Sequence, residues 1–110
     1  MDEEIKSWCY DILNSVEEIE SYFTDEDRNF SSYKSNIVVK RAVERNLEII
    51  GEAMNRIMKK DSSLNFPDSR KIIDTRNRII HSYDNVSDDI IWSIVINHLP
   101  KLKSEIQNLL

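Results

Sequence analysis

The sequence predicts an all-α protein, an up-and-down four-helix bundle with room for a short extra helix between the first two long helices. Turn-forming residues are scarce: 110 residues contain one glycine and two prolines, which argues against a many-stranded β architecture. Apolar residues recur at steps of three and four along four segments, which is the helical period. The length suits one hydrophobic core, so residues 1–110 are interpreted as a single helical domain.

The first helix is predicted over about residues 3–23, with Asp2 as its N-cap. Its apolar residues form one stripe that should face the core. They are Ile5, Trp8, Cys9, Ile12, Val16, Ile19, Tyr22 and Phe23. The following segment, 24–36, is polar, but Phe30 and Tyr33 lie three residues apart, which favours a short helical turn there.

A second long helix is predicted from about Ile37 to Lys60. Its apolar stripe consists of Val39, Ala42, Val43, Leu47, Ile50, Ala53, Met54 and Ile57. Gly51 lies inside this helix, where glycine costs about 1 kcal/mol relative to alanine. Its presence indicates a close helix crossing, at a dimer seam in one interpretation, or plain tolerance of glycine in another.

Residues 61–68 form the clearest break in the pattern. Asp68 or Ser69 is expected to cap a third helix, which should end near Tyr83 to Asn85. Four isoleucines form the apolar side of this helix. They are Ile72, Ile73, Ile79 and Ile80.

The last helix is predicted to begin after a cap at Ser87. Asp88 and Asp89 are favourable in its first turn because acidic groups complement the helix dipole there. Its apolar residues continue as far as Leu109. Pro100 removes one backbone hydrogen bond, so it is expected to kink the helix or to restart it as a first-turn proline.

Composition limits the kinds of protein that this chain can be. Apolar runs are only a few residues long and the start is acidic, so neither a membrane span nor a signal peptide is expected, and the cytoplasm is the expected location. Cys9 is the single cysteine and is interpreted as a buried small hydrophobe. His81 and His98 lie far apart without a carboxylate at a metal-binding spacing, so no metal site and no cofactor is expected. His98 is interpreted as structural.

Charge is distributed unevenly along the chain. The net charge of −5 is unfavourable for binding RNA, because affinity for phosphate comes largely from lysine and arginine. Acidic residues concentrate in the first quarter, whereas basic residues outnumber acidic ones between Lys34 and Arg78. Lys40, Arg41 and Arg45 form a basic strip, interpreted either as a guide for RNA or, more simply, as a solvated helix face.

The stretch from Asp74 to Tyr83 differs from the rest of the chain. It places two arginines, an asparagine, a histidine and a tyrosine beside core isoleucines. An arginine and a histidine suffice for metal-free RNA cleavage, because histidine titrates near working pH and a guanidinium holds a phosphate bidentately. The reaction expected of such a pair is attack of a ribose 2′-hydroxyl on its own phosphate, which requires RNA rather than DNA.

Helical geometry separates Arg76 from His81. Five residues at about 100° each leave their side chains about 140° apart on an ideal helix. Asn77, four residues before His81, does share its face. The arginine and the histidine therefore meet at one phosphate only if the helix end is distorted or if a second subunit supplies one of them.

The pattern Arg76-x-x-x-x-His81-x-Tyr83 resembles the R-x4-H-x-Y motif of HepT toxins, which belong to the HEPN superfamily. Other parts of the chain are similar to the same family and occur in the same order. They are Arg41–Ala53, Ile91–Trp92 and Leu99–Leu102. The resemblance extends over nearly the whole chain and is weakest between the first two long helices.

The resemblance implies a metal-independent endoribonuclease in which Arg76 and His81 are the catalytic residues, placed at a homodimer cleft. It also implies that Tyr83 accepts AMP from a cognate MntA-like nucleotidyltransferase antitoxin, which silences the enzyme. The chain would then be the toxin component of a type VII-like toxin–antitoxin pair, with RNA as its substrate. Asn77 is expected to support or orient His81, and Arg78 to contact phosphate.

Simpler interpretations apply to the same residues when each is taken alone. Arg76 could form a salt bridge to Asp74 or Glu48. His81 could cap the helix C-terminus, where positive charge is favourable, and Tyr83 could pack its ring against the bundle.

Two other functions are open on the sequence. The alternative to a ribonuclease is a non-catalytic helical subunit that binds a minimal nucleotidyltransferase and helps to present its substrate, a role that the acidic balance suits slightly better. A weaker option is a dimerisation module with no ligand.

Overall fold

The computed structural model describes residues 1–81 and 86–110 as a bundle of helices. The helices in chain order are α1 (Glu3–Ser21), α2 (Phe30–Ser35), α3 (Ile37–Lys60), α4 (Ser69–His81), α5 (Asp88–Ser93) and α6 (Leu99–Leu109), with a π-helical turn (Ile94–His98) between α5 and α6. No strand occurs in this described part, so the predicted all-α class is confirmed.

Local capping explains where the first helices begin. The Oδ1 atom of Asp2 accepts hydrogen bonds from the backbone N–H groups of Glu4 (2.8 Å) and Ile5 (3.1 Å), so the predicted cap of α1 is confirmed. The Oδ1 atom of Asn36 accepts from the N–H of Val39 at 3.1 Å and starts α3. The short helix expected between the first two long ones is α2, which is capped by Asn29.

Helix α3 is the centre of the packing, because it contacts both α1 and α4. Lys60 at its end forms an ion pair with Asp2 at the start of α1, with Nζ and Oδ2 3.2 Å apart. The two helices are therefore antiparallel. Within the core between them Cys9 is fully buried, as predicted, and burial raises the pKa of its thiol.

The C-terminal segment is one helix with a local change of pitch rather than two separate helices. The N–H of Leu99 donates to the carbonyl of Ile94, five residues earlier, which is the π pattern. Pro100 then lies in the first turn of α6, as expected for a first-turn proline. The wider turn accommodates a residue that has no N–H of its own.

Ser87 occupies the N-cap position of α5, as predicted, although its side chain makes no capping hydrogen bond there. The Asp68 carboxylate, before α4, lies against His98 of the π-helical turn, with Oδ2 and Nδ1 3.1 Å apart. Asp68 thus links the start of α4 to the C-terminal helix. Across residues 1–81 and 86–110, each helix is too short or too polar to cross a membrane.

Candidate functional site

Helix α4 carries four of the five residues that the sequence singled out. Arg76, Asn77, Arg78 and His81 all lie on it, and the helix stays regular as far as His81. The helical separation of about 140° between Arg76 and His81 is therefore retained within one chain. Tyr83 lies outside the described residues, so its role stays a prediction.

Gly51 determines how closely Arg76 approaches α3. A Cβ atom built on Gly51 would lie 2.5 Å from Cβ and 2.8 Å from Cγ of Arg76, both closer than real contacts allow. The absent side chain thus lets the stem of Arg76 lie directly on the α3 backbone. The close crossing predicted at Gly51 is present, and it joins two helices of the same chain.

The guanidinium of Arg76 is oriented by its neighbour along the helix. Its Nη1 atom donates to Oδ1 of Asn77 at 2.7 Å. Its Nε atom is buried and has no hydrogen-bond partner among the described residues. Among the described residues Asn77 accepts this hydrogen bond from Arg76, and its expected role of supporting or orienting His81 stays a prediction. A buried donor without a partner is uncommon and calls for an explanation, of which a bound ligand is one. The described residues contain three other buried polar atoms without a partner, in Tyr33, Asn46 and His98.

The simple salt-bridge interpretation of Arg76 does not match the described structure. Glu48 pairs with Arg45 at 3.2 Å, and Asp74 lies 4.0 Å from Arg70. Within residues 1–81 and 86–110, no carboxylate forms an ion pair with Arg76. The described residues thus leave the guanidinium of Arg76 without an ion-pair partner.

His81 is exposed and is the last described residue of α4. The helix end predicted near Tyr83 to Asn85 lies outside the described residues. Ile80 beside it is 44% exposed, although on an ideal helix it lies only about 40° from Arg76. Arg78 is also exposed. The end of α4 therefore presents a histidine, an arginine and an apolar side chain to solvent, a combination that suits contact with another molecule.

The contact between Gly51 and Arg76 was not foreseen from the sequence. The glycine signalled a close crossing, but no local pattern indicates which residue of which helix fills the space. The ion pair between Lys40 and Asp88, at 3.1 Å, was likewise not foreseen from the sequence. These two residues are 48 positions apart in the chain. Both contacts depend on how distant helices pack.

Comparison with known proteins identifies the family. The family model described as "Ribonuclease HepT-like" matches residues 12–109. A Methanocaldococcus jannaschii protein named "Putative RNase" is 34% identical over 94% of each chain. A Thermococcus cleftensis protein named "Probable ribonuclease HepT" is 30% identical, again over 94% of each chain. No solved structure gives a significant match. The resemblance drawn from the sequence is confirmed, and the chain belongs to the HepT-like ribonuclease family.

Proposed function

We propose that this protein is a metal-independent endoribonuclease whose catalytic residues are Arg76 and His81. The observation that carries the proposal is the state of Arg76, whose stem lies on α3 at Gly51 while its Nε has no partner in the described part of the chain. A guanidinium held in this way is suited to bind phosphate bidentately and to stabilise the charge that grows on it. Membership of the HepT-like ribonuclease family supports the same reaction.

The proposed reaction is an internal transfer at one phosphate. The 2′-hydroxyl attacks the adjacent phosphorus, the bond from phosphorus to the 5′-oxygen breaks, and the products end in a 2′,3′-cyclic phosphate and a 5′-hydroxyl. One proton leaves the 2′-oxygen and one reaches the 5′-oxygen. His81 exchanges one of these protons through its imidazole ring, and Arg76 holds the phosphate oxygens.

Two copies of the chain form the complete site in this proposal. Because α4 is regular through His81, one copy directs Arg76 and His81 about 140° apart. A two-fold symmetric partner can bring its own His81 to the Arg76 of the first copy. Ile80, exposed next to His81, supplies apolar surface for such an interface.

Mixing two inactive variants tests the composite site. If each site takes Arg76 from one copy and His81 from the other, a mixed dimer of Arg76→Ala and His81→Ala has one intact site. Co-expression should then recover about one quarter of wild-type activity, since half of random dimers are mixed and one of their two sites is intact. No recovery from a mixture that is shown to contain mixed dimers would place both residues in one copy.

The reaction itself is tested with purified protein and RNA in the presence of a chelator. We expect cleavage, products with 2′,3′-cyclic phosphate ends, and loss of activity in Arg76→Lys, because an ammonium cannot make the planar bidentate contact. Arg78→Lys is the matched control on the same helix. It keeps the positive charge, so activity should be retained if Arg78 contributes only charge. Full activity of a combined Arg76→Lys and His81→Ala variant would eliminate this mechanism.

Regulation by AMP transfer is a further part of the proposal. In it, a cognate MntA-like nucleotidyltransferase transfers AMP to Tyr83, two residues after His81. The added phosphate is an anion that can pair with Arg76 or Arg78, and its bulk obstructs RNA. The chain is then the toxin of a type VII-like toxin–antitoxin pair in the cytoplasm.

AMP transfer is tested by incubating the protein with that nucleotidyltransferase, ATP and Mg²⁺, and by mapping the added mass to a peptide. Label should appear on Tyr83 and be absent from Tyr83→Phe, which should also escape silencing. Tyr10→Phe is the control, since Tyr10 is 48% exposed on α1. Silencing of Tyr83→Phe to the same degree would mean that inhibition occurs through complex formation alone.

A non-catalytic partner subunit is the second candidate, and one observation favours it. Lys40, Arg41 and Arg45 are each paired with a carboxylate, at 3.1, 2.7 and 3.2 Å. The basic strip therefore offers less positive potential to RNA than its sequence indicates. In this alternative the chain binds a minimal nucleotidyltransferase and helps to present its substrate. Absence of RNA cleavage by the wild-type dimer, together with a stable complex of the two proteins, would select it.

A further inference from the structure

A cavity of about 160 Å³ lies between the N-terminal half of α3 and the start of α5. A single water needs only about 10–15 Å³ of such space, so the cavity can hold an organic group. Its lining residues come from two separate parts of the chain. They are Lys40, Arg41, Glu44, Val86, Ser87 and Asp88. The proposed cleavage chemistry makes no use of this cavity.

The charged side chains of the cavity are arranged as two ion pairs. The Nζ atom of Lys40 lies 3.1 Å from Oδ2 of Asp88, and Nη1 of Arg41 lies 2.7 Å from Oε1 of Glu44. The side chains of Lys40, Asp88 and Glu44 are 18%, 22% and 16% exposed, whereas that of Arg41 is 53% exposed at the rim. Each carboxylate keeps a second oxygen that no described residue occupies. Acceptors and a donor are thus held in place together.

Tyr33 adds a polar group that lacks a partner. Its side chain is 1% exposed, and its buried hydroxyl has no hydrogen-bond partner among the described residues. Tyr33 does not line the cavity itself, but its helix α2 packs against both α3 and α5, which do. Burial raises the pKa of Tyr33, and the charges of Glu44 and Asp88 raise it further.

We propose that this cavity binds a guanine base of the RNA substrate, an inference that rests on the proposed ribonuclease function. Along one edge guanine presents two adjacent donors, N1–H and the N2 amino group, followed by the acceptor O6. The open oxygens of Glu44 and Asp88 accept from the two donors, and Lys40, which has two further N–H donors beyond its ion pair, donates to O6. Proteins that read RNA sequence recognise unstacked bases by this edge.

The polar groups that line the cavity favour binding of guanine over the other bases and over phosphate. Adenine and cytosine each offer one amino group on this edge, and uracil offers one N–H, so each leaves one carboxylate without a donor. An unsatisfied buried acceptor is costly, which makes the difference selective. A phosphate is disfavoured because the two cations are balanced by the two anions. Arg41, half exposed at the rim, is placed to contact the sugar–phosphate chain outside.

The cavity lies close to the proposed cleavage site. Glu44 is seven residues before Gly51 on α3, which is about 10 Å along the helix from the point where Arg76 crosses. Val86 and Ser87 follow His81 by only five and six residues. A nucleotide near the scissile phosphate can therefore occupy the cavity, and the cavity would set the sequence preference of cleavage.

Binding is tested with Trp92 as a reporter. Its ring stacks on Tyr33 with centroids 5.3 Å apart, and a Trp8→Phe background leaves it as the one tryptophan. The probes are uridine hexamers with and without one guanosine, 2′-O-methylated so that they cannot be cleaved. We expect the guanosine hexamer to change Trp92 fluorescence and to bind roughly tenfold tighter or more. Hexamers with one adenosine or cytidine should behave as the all-uridine hexamer does.

Glu48, a carboxylate on α3 that is paired with Arg45, provides a matched control for the two cavity carboxylates. Glu44→Gln and Asp88→Asn should each abolish the preference for guanosine. Glu48→Gln should keep it, because Glu48 forms the same kind of pair with Arg45 one turn further along but does not line the cavity. Equal binding of all hexamers, or a preference that survives both cavity variants, would overturn the proposal.

A free nucleotide is the other ligand that could supply a guanine base to the cavity, and GMP is the probe for it. Binding of GMP as tight as that of the guanosine hexamer would assign the cavity to a mononucleotide and overturn the RNA assignment, whereas weaker binding of GMP supports it. The hexamers cannot be cleaved, so binding and catalysis are measured separately. A protein that prefers guanosine but does not cleave RNA would contradict the proposed catalysis and support this inference. A protein that cleaves RNA but shows no preference for guanosine would support the proposed catalysis and contradict this inference.

Discussion

The two histidines of this protein lie in opposite surroundings. His81 ends α4 with an exposed side chain, and the nearby Arg76 has a buried Nε without a partner in the described residues. His98 lies in the π-helical turn, its side chain is 14% exposed, and its Nδ1 is 3.1 Å from Oδ2 of Asp68. The first histidine is accessible to an external group, whereas the second is held by the protein.

The difference follows from what surrounds each region. Contact with His98 lowers the pKa of Asp68, and burial followed by the charge of Asp68 raises the pKa of Glu105. Charges near His98 thus interact within the fold and link α4 to the C-terminal helix. Nδ1 of His98 makes no hydrogen bond among the described residues, so its link to Asp68 is a close electrostatic contact. Such a contact inside the fold bears on stability, whereas an exposed histidine is accessible to a substrate. The comparison predicts which histidine matters for chemistry and which for folding.

The largest effect should come from replacing each histidine separately. His81→Ala is expected to reduce RNA cleavage by roughly 10²–10⁴-fold, because it removes proton transfer. It should leave the free energy of unfolding nearly unchanged, since the side chain is exposed. His98→Ala should do the opposite, with lower stability and normal cleavage per folded molecule. Initial cleavage rates and urea unfolding measure the two quantities, and a cleavage defect of similar size in both variants would contradict the comparison.

Gly51→Ala tests whether the position of Arg76 is set by α3. The new methyl group would lie 2.5 Å from Cβ of Arg76, so the two helices must move apart. We expect a loss of about 1–3 kcal/mol in the free energy of unfolding, which outweighs the helical preference for alanine. Cleavage should fall as well, by up to about 100-fold, because a small displacement of a catalytic group is costly.

The exposed Lys59 on α3 provides the control for Gly51. Lys59→Ala changes helix propensity on the same helix without touching α4, and it should alter stability and cleavage little. A Gly51→Ala protein as stable and as active as Lys59→Ala would show that α3 and α4 are not held at this distance.

Asp68→Asn tests the link at His98 through its dependence on pH. The pKa of Asp68 is lowered from 3.8 in the folded protein, first by His98. A carboxyl group of this kind stabilises the fold above its unfolded pKa and loses that contribution as the pH falls through its folded pKa. The stability difference from wild type should therefore be full above about pH 5 and shrink below about pH 4. Asp25→Asn, an exposed carboxylate, is the control; equal behaviour of both variants would exclude a specific link.

The smallest effect concerns Tyr33, whose hydroxyl is one of four buried polar side-chain atoms without a hydrogen-bond partner among the described residues. Tyr33→Phe should raise the free energy of unfolding by up to about 1 kcal/mol, because it removes a buried hydroxyl that forms no hydrogen bond. Thermal or urea unfolding measures this change. A loss of stability above about 1 kcal/mol would mean that the hydroxyl is satisfied in the free protein.

Local sequence information was sufficient for most of the helices. The predicted and observed limits of α3 agree at Ile37 and Lys60, because its apolar stripe and the cap at Asn36 are both contained in neighbouring residues. The end of α1 was predicted two residues late, at about 23 instead of Ser21, since Tyr22 and Phe23 continue the apolar spacing beyond the helix. For Pro100 the sequence left a kink or a first-turn position open; the structure has the first-turn position, and the π-helical turn before it was not predicted.

The residue types of the site were also contained in the sequence. Arg76, Asn77, Arg78 and His81 form one short segment, and the helical period alone states that Arg76 and His81 point in different directions. Their roles, and that of Tyr83, stay predictions. The observed hydrogen bond from Arg76 to Asn77 could not be foreseen, because neighbouring side chains on a helix meet only when their rotamers allow it.

By itself the sequence determined the helical class, the approximate helix limits, the family and the residues that can carry chemistry. Only the tertiary structure decided that Gly51 supports Arg76, that Asp68 holds His98, and that Lys40 meets Asp88 beside a cavity. The physical reason is the range of the interactions. Periodicity, capping and propensity act over a few neighbouring residues, whereas these contacts join helices that are far apart in the chain and depend on how their surfaces fit.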